Sequence, residues 1–251
     1  MRILSCLLIL CIFLNTSCSK AHQESFLYFN DIEKAYLKGD YKEAIKWCYG
    51  KAAELGNTHA MCKLGAMYDK GLGVIEDPQE AIKWYKKAAE LGDADAMFKL
   101  GLILLGTRVS QNSQEAFKWF KRSAELGNTY AMLMLGTIYA EGKGTLKDYK
   151  KAIKWYKKAA DLENTRAMFR LGFTYYDGEG TLKDYKEAFE CFTKGAGWGD
   201  ARAMLMLGTM YAEGKGTLKD YQKAKYWIKK AYDAGNEDAK KVWNTLELWK
   251  Y

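Results

Sequence analysis

The sequence repeats itself along most of its length. Ala60, Ala96, Ala131, Ala167 and Ala203 recur at steps of 36, 35, 36 and 36 residues, and the same register aligns Leu64-Gly65, Leu100-Gly101, Leu135-Gly136, Leu171-Gly172 and Leu207-Gly208. Tyr68, Tyr139, Tyr175 and Tyr211 follow, then the glycine pairs Gly71/Gly73, Gly142/Gly144, Gly178/Gly180 and Gly214/Gly216. A second half adds Asp77, Asp148, Asp184 and Asp220, then Ala81, Ala116, Ala152, Ala188 and Ala224, then Trp84, Trp119, Trp155 and Trp227. A unit of this length buries its apolar face only against its neighbours. The period therefore restricts the chain to a solenoid whose stability grows along the stack and whose ends need caps.

Each unit reads as two helices. Asn57, Asp93, Asn128, Asn164 and Asp200 stand where their side chains can accept from the orphan N–H groups of a first helix. Ala60, Met61, Leu64, Gly65 and Tyr68 then step by three or four residues along one side, and Gly71 can take the positive φ that ends the helix. A second helix starts at Asp77, with Pro78 at its first position and Glu80 completing a capping box; Asp184 and Glu187 repeat the arrangement. Ala81, Trp84, Tyr85 and Ala88 form its apolar stripe. Gly56, Gly92, Gly127, Gly199 and Gly235 end the second helices, and Glu163 alone breaks that series. Small residues such as Gly65 and Ala81 let helix backbones approach while the tryptophans fill the space between pairs, as core rather than as a ligand platform.

Composition agrees with helices joined by glycine turns, since the chain has a single proline against 23 glycines. The formal charge of +8 comes from 39 basic and 31 acidic residues. Lys86-Lys87, Lys157-Lys158 and Lys229-Lys230 recur at one place in the repeat, with Glu90, Glu125, Asp161 and Asp233 close behind. That interleaving describes a solvated helix face, and a nucleic-acid partner is not expected.

Residues 1–17 read as a signal peptide: Arg2, then an apolar run from Ile3 to Leu14 that is short for a membrane-spanning helix. Two cleavages fit. One is of lipoprotein type before Cys18, which would carry the lipid, although Asn15 stands where an aliphatic residue is usual; the other is ordinary cleavage near Ala21. Either implies export, to the periplasm or cell envelope as a lipoprotein or as a secreted protein. The body keeps Cys48, Cys62 and Cys191, an odd number. Cys48 and Cys62 fall on neighbouring helices and are the candidate disulfide in an oxidising compartment, with Cys191 as a buried free thiol. Cys and His have no metal-ligand spacing, so neither a metal nor a cofactor is expected.

The pattern of Ala, Leu-Gly, Tyr, Gly-x-Gly, Asp, Ala, Trp and Ala-Ala resembles the Sel-one-like repeat (SLR) family, relatives of tetratricopeptide repeats with a longer loop inside each unit. The resemblance implies an all-α fold, an α/α right-handed superhelical solenoid. Its units would be 57–92, 93–127, 128–163, 164–199 and 200–235, preceded by a tetratricopeptide-like helix pair over 25–56 and closed by a capping helix over 236–251. The second unit departs from the pattern, with Leu104 for Tyr and Thr107-Arg108-Val109-Ser110 in place of the glycine loop.

Members of this family act as adaptors and scaffolds, so the resemblance implies a protein or peptide partner, with membrane attachment through the lipid anchor. In tetratricopeptide-like solenoids the first helices line the concave face. Carried over, that geometry gives a polar row, His59, Asp95, Tyr130, Arg166 and Arg202, and an apolar row, Cys62, Phe98, Leu133, Phe169 and Leu205. A third row holds Ala66, Leu102, Thr137, Phe173 and Thr209. Apolar residues would hold a peptide and the polar row would read it. The competing reading is that curvature buries the apolar row.

Catalysis is the weaker expectation. The chain has no HExxH, GxSxG or GxxxxGK[ST] string, and Gly142-Lys143-Gly144-Thr145 recurs as Gly214-Lys215-Gly216-Thr217, which marks it as a structural loop. A cysteine-rich secreted branch of the family is associated with β-lactam binding and hydrolysis. That alternative lacks a cysteine pair in each repeat here, and no nucleophile with its base can be named.

Overall fold

The computed structural model describes residues 46, 49–51, 53–106, 112–246 and 248. The leader with Cys18, most of the 25–56 pair with Cys48, and Thr107 to Ser110 lie outside the described residues. The chain divides into two compact units, Met1–Gln111 and Asn112–Tyr251. The division falls at the aberrant loop of the second repeat.

The described residues contain no strand. In the first unit α1 (Thr58–Lys70), α2 (Pro78–Glu90) and α3 (Ala94–Leu105) follow one another. The second unit holds α4 (Ser113–Glu125), α5 (Thr129–Glu141), α6 (Tyr149–Asp161), α7 (Thr165–Asp177), α8 (Tyr185–Gly197), α9 (Ala201–Glu213), α10 (Tyr221–Asp233) and α11 (Asp238–Thr245).

The joints between repeats are built from one residue doing two jobs. Asp93 accepts from the Ala96 N–H at 2.8 Å and so caps α3, while its own N–H donates to the Ala88 carbonyl at 3.1 Å and closes α2. Asn128, Asn164 and Asp200 repeat both bonds on Ser123, Ala159 and Gly195. The residue before each takes a left-handed conformation, at Gly92, Gly127 and Gly199 and also at Glu163, whose φ of 64° is the sole positive value on a non-glycine residue among the described residues.

The expected capping box does not close. Asp77 accepts from Gln79 and Glu80 N–H, but Glu80 turns to Lys83 at 2.8 Å instead of reaching back. The reason is a better partner: the Asp77 N–H already donates to the Tyr68 carbonyl at 2.9 Å. Asp184 makes the same bond to Tyr175, and Asp148 and Asp220 do so with Tyr139 and Tyr211. This bond pins the glycine loop against the last turn of the first helix. In the second repeat Asn112, which stands outside the recurring aspartate series, caps α4 through the Glu115 N–H.

In four of the pairs the close approach is between the helix glycine and the residue after the tryptophan or, at Phe192, after Cys191. A Cβ at Gly65 would lie 2.7 Å from the Tyr85 ring, and Gly136, Gly172 and Gly208 meet Tyr156, Phe192 and Ile228 in the same way. Those four large side chains are buried, whereas Trp84, Trp155 and Trp227 are only half-buried. The outer faces of the tryptophans are covered from above: Lys87 lies 4.3 Å from the Trp84 ring, Arg122 5.0 Å from Trp119, Lys158 4.6 Å from Trp155 and Lys230 5.5 Å from Trp227. The second lysine of each expected solvated pair is therefore a lid on the core. At the end of the second unit Ala239 and Leu248 close the cluster around Ala224, Ile228 and Ala231.

Candidate functional site

The first helices carry the three rows, on α1 and α3 in the first unit and on α5, α7 and α9 in the second. All five residues of the polar row, His59, Asp95, Tyr130, Arg166 and Arg202, are exposed. In the apolar row Phe98, Leu133, Phe169 and Leu205 are half-buried, while Cys62 is buried. Leu102 and Phe173 of the third row are each 41% exposed.

In the second unit the rows assemble into one aromatic surface. Phe169 stacks on Phe173 with ring centroids 6.3 Å apart and tilts against Phe192 at 5.8 Å. Arg202 reaches over Phe169 from the following repeat, 4.5 Å from its centroid, and pairs with Asp200 Oδ2 at 2.7 Å. Arg202 therefore braces the surface from its side. Thr137 and Thr209 turn their hydroxyls onto the Leu133 and Leu205 carbonyls. Leu133 and Leu205 also pack on core clusters, which accounts for their half burial. Phe173, Tyr130 and Arg166 are the exposed members of these rows on α5 and α7.

Tyr130 and Arg166 also line a recess of about 320 Å3 with Thr129, Leu162, Glu163, Asn164 and Thr165, where the N-termini of α5 and α7 come together. Asn164 Nδ2 donates to Thr129 Oγ1 at 3.3 Å across its floor. Leu162 and Glu163 were missed because they sit in a joint that repeats as structure.

Cys62 is a free thiol that donates to Asp93 Oδ1 at 3.7 Å; Cys48, its expected disulfide partner, lies outside the described residues. Burial first, and the Asp93 carboxylate second, push the Cys62 thiol up to about 12. Cys191 is likewise free, half-buried, and pushed up to about 12 by burial and then by Glu187. Neither thiol is ionised at neutral pH, so neither is poised as a nucleophile. Among the described residues no group of His, Cys, Asp and Glu has metal-binding geometry. No described helix is long and apolar enough to cross a membrane.

Helix pairs stacked in register, each closing its predecessor, define a tandem-repeat α/α solenoid. The chain belongs to the Sel1 repeat family, whose model matches residues 26–57, 58–93, 94–128, 129–164, 165–197 and 201–236. The first match covers the segment expected to be a tetratricopeptide-like helix pair. A Sel1 repeat protein from Oxalobacter formigenes is 38% identical over 84% of this chain and 87% of its own, with a TM-score of 0.74. A protective antigen present in uropathogenic Escherichia coli strains, displaying an SLR fold, is 31% identical over 90% of this chain and 50% of its own, with a TM-score of 0.77. An immunity protein from Pseudomonas aeruginosa shares the fold alone, at 19% identity over 78% of this chain and 74% of its own, with a TM-score of 0.52. No curated protein matches the chain. Sel1 repeat proteins generally mediate protein–protein interaction.

Proposed function

We propose that this chain is an exported or membrane-anchored adaptor that holds a protein or peptide partner along its first-helix face, the concave side of the solenoid. The observation that carries this reading is the surface around Phe173: a 41% exposed aromatic ring stacked on Phe169, with Tyr130 and Arg166 exposed on the same set of first helices. Capping and core packing explain Asn164, Ala167 and Leu171 without remainder, but they require neither Phe173 nor Arg166. An aromatic platform bordered by a cation suits an extended segment with apolar and acidic side chains. Export is supported by the residue pattern of the leader, and the protective-antigen relative agrees with a location open to the outside.

Capture from envelope extracts, read by mass spectrometry, tests the proposal. Phe173→Ala with Arg166→Glu should remove the partner captured by the wild type while the melting temperature holds, because both side chains are exposed. An unchanged capture profile overturns the face as the binding site. Fatty-acid labelling of wild type against Cys18→Ala tests the anchor, and label that persists in the variant rules out that cysteine.

A further inference from the structure

The glycine loops leave one residue type conspicuously outside the core. Leu146, Leu182 and Leu218 are 87%, 88% and 88% exposed, and Ile75, their counterpart in the first unit, is 89% exposed. At the other ends of the same helix pairs Leu91, Leu126 and Leu162 are 53–59% exposed, since nearly half of each is packed into a joint. The loop leucines have no such support. Water, not protein, surrounds them.

Within the second unit these leucines share one edge, because consecutive loops rest on one another's flanks. A Cβ at Gly144 would strike Ser113 at the start of α4, one at Gly180 would strike Tyr149 at the start of α6, and one at Gly216 would strike Tyr185 at the start of α8. Lys215 strengthens the last contact by donating to Tyr176 Oη at 3.0 Å. Adjacent leucines are thus separated by one repeat, on the order of 10 Å. Each is followed by a lysine, Lys147, Lys183 or Lys219, and then by a capping aspartate and a half-buried tyrosine. Lys147 and Lys219 lie over Tyr149 and Tyr221 at 4.6 and 5.0 Å, which holds the ammonium groups beside the leucines. Of the lysines in loops 142–147, 178–183 and 214–219, Lys143 and Lys215 pair with Glu141 and Glu213 at 2.7 and 2.8 Å, so the cations beside the leucines are Lys147, Lys183 and Lys219.

We infer that this loop edge docks on an anionic phospholipid surface, with Leu146, Leu182 and Leu218 entering the interfacial layer, Lys147, Lys183 and Lys219 meeting headgroup phosphates, and Tyr149, Tyr185 and Tyr221 at headgroup level. Two features select a bilayer over a protein occupant. The aliphatic side chains are separated by polar backbone rather than joined in a patch, and a fluid interface accepts isolated side chains where a protein interface core requires contiguous packing. The lysines also oppose a second copy of the same edge, while they complement lipid phosphates. The edge is distinct from the first-helix face, so a docked solenoid keeps that face open.

Hydrogen exchange of the full chain, with and without vesicles, tests the assignment. Vesicles of phosphatidylcholine and phosphatidylglycerol in equal parts should slow exchange in loops 142–147, 178–183 and 214–219 by at least about tenfold, the effect expected when three leucines leave water. Vesicles of phosphatidylcholine alone should not. The triple variant Leu146→Ser, Leu182→Ser, Leu218→Ser should lose the slowing while melting with the wild type, and Lys147→Gln, Lys183→Gln, Lys219→Gln should weaken it with every leucine in place. Loops that exchange identically with and without anionic vesicles overturn the proposal. So does equal slowing by neutral vesicles, or slowing that needs no lipid and grows with protein concentration, which would identify a second copy as the occupant.

Discussion

Glu163 occupies the position at which five other joints carry glycine, and it takes the same left-handed backbone, φ 64° against 86–94° at Gly56, Gly92, Gly127, Gly199 and Gly235. A side chain in that region costs about 1–2 kcal/mol, while glycine would restore about 0.5–1 kcal/mol of unfolded-chain entropy against folding. The left-handed strain is the larger effect. Glu163→Gly is expected to stabilise the second unit by about 0.5–1 kcal/mol, read as a higher denaturant midpoint at unchanged slope; a lower midpoint would mean that Glu163 makes a compensating contact in its recess. Such residues mark how far the sequence alone could be read. Asn57, Ala60, Leu64 and Gly65 were legible because each solves a local problem that recurs in every repeat. Arg202 was not, since its place over Phe169 depends on how the next repeat stacks. Leu146, Leu182 and Leu218 are hidden for the opposite reason: they recur identically, and a recurring residue reads as framework.

At the scale of the helix, start and stop are both made by hydrogen bonds that cross from one element to the next. Asp148 illustrates this at α6, accepting the Lys151 N–H at 3.0 Å while its own N–H is held by the Tyr139 carbonyl at 2.8 Å. The Lys151 backbone bond is the main reason its carboxyl titrates below the usual carboxylate range, and Asp220 behaves alike through Lys223. A carboxyl with a depressed folded-state value contributes stability above its unfolded value and loses it as pH falls through the folded one. Asp148→Asn keeps an acceptor oxygen at the cap but removes the charge, so the acid arm of the melting-temperature profile, below about pH 4, should flatten relative to wild type. The profile near pH 7 should drop by the same small amount that the arm flattens, because the carboxyl is partly exposed and its interactions are screened. An unchanged acid arm would show that the charge at this cap is not coupled to folding. The box predicted at Asp77 and Glu80 failed on the same physics. Sequence spacing shows which side chain can reach back, but not that the loop has already delivered the Tyr68 carbonyl to the Asp77 N–H.

At the scale of the molecule, the regular glycine loop is present on both sides of the second repeat and missing within it, and the chain divides into compact units there. In a solenoid each repeat is stabilised by its nearest neighbours, so a defect should spread only as far as contacts are continuous. Leu207 tests the range. It is 1% exposed in the cluster with Ala188, Phe192, Ala196, Ala203 and Met210. Leu207→Ala leaves a cavity that should cost about 2–5 kcal/mol. Native-state hydrogen exchange should then speed up across α7 to α10, the helices that share this cluster and its flanks, while the protection of α1 to α3 stays at its wild-type level. Loss of protection in α1 to α3 to the same degree would mean that the segment around Thr107 to Ser110 transmits stability like any other joint, and that the missing glycine loop does not divide the fold energetically.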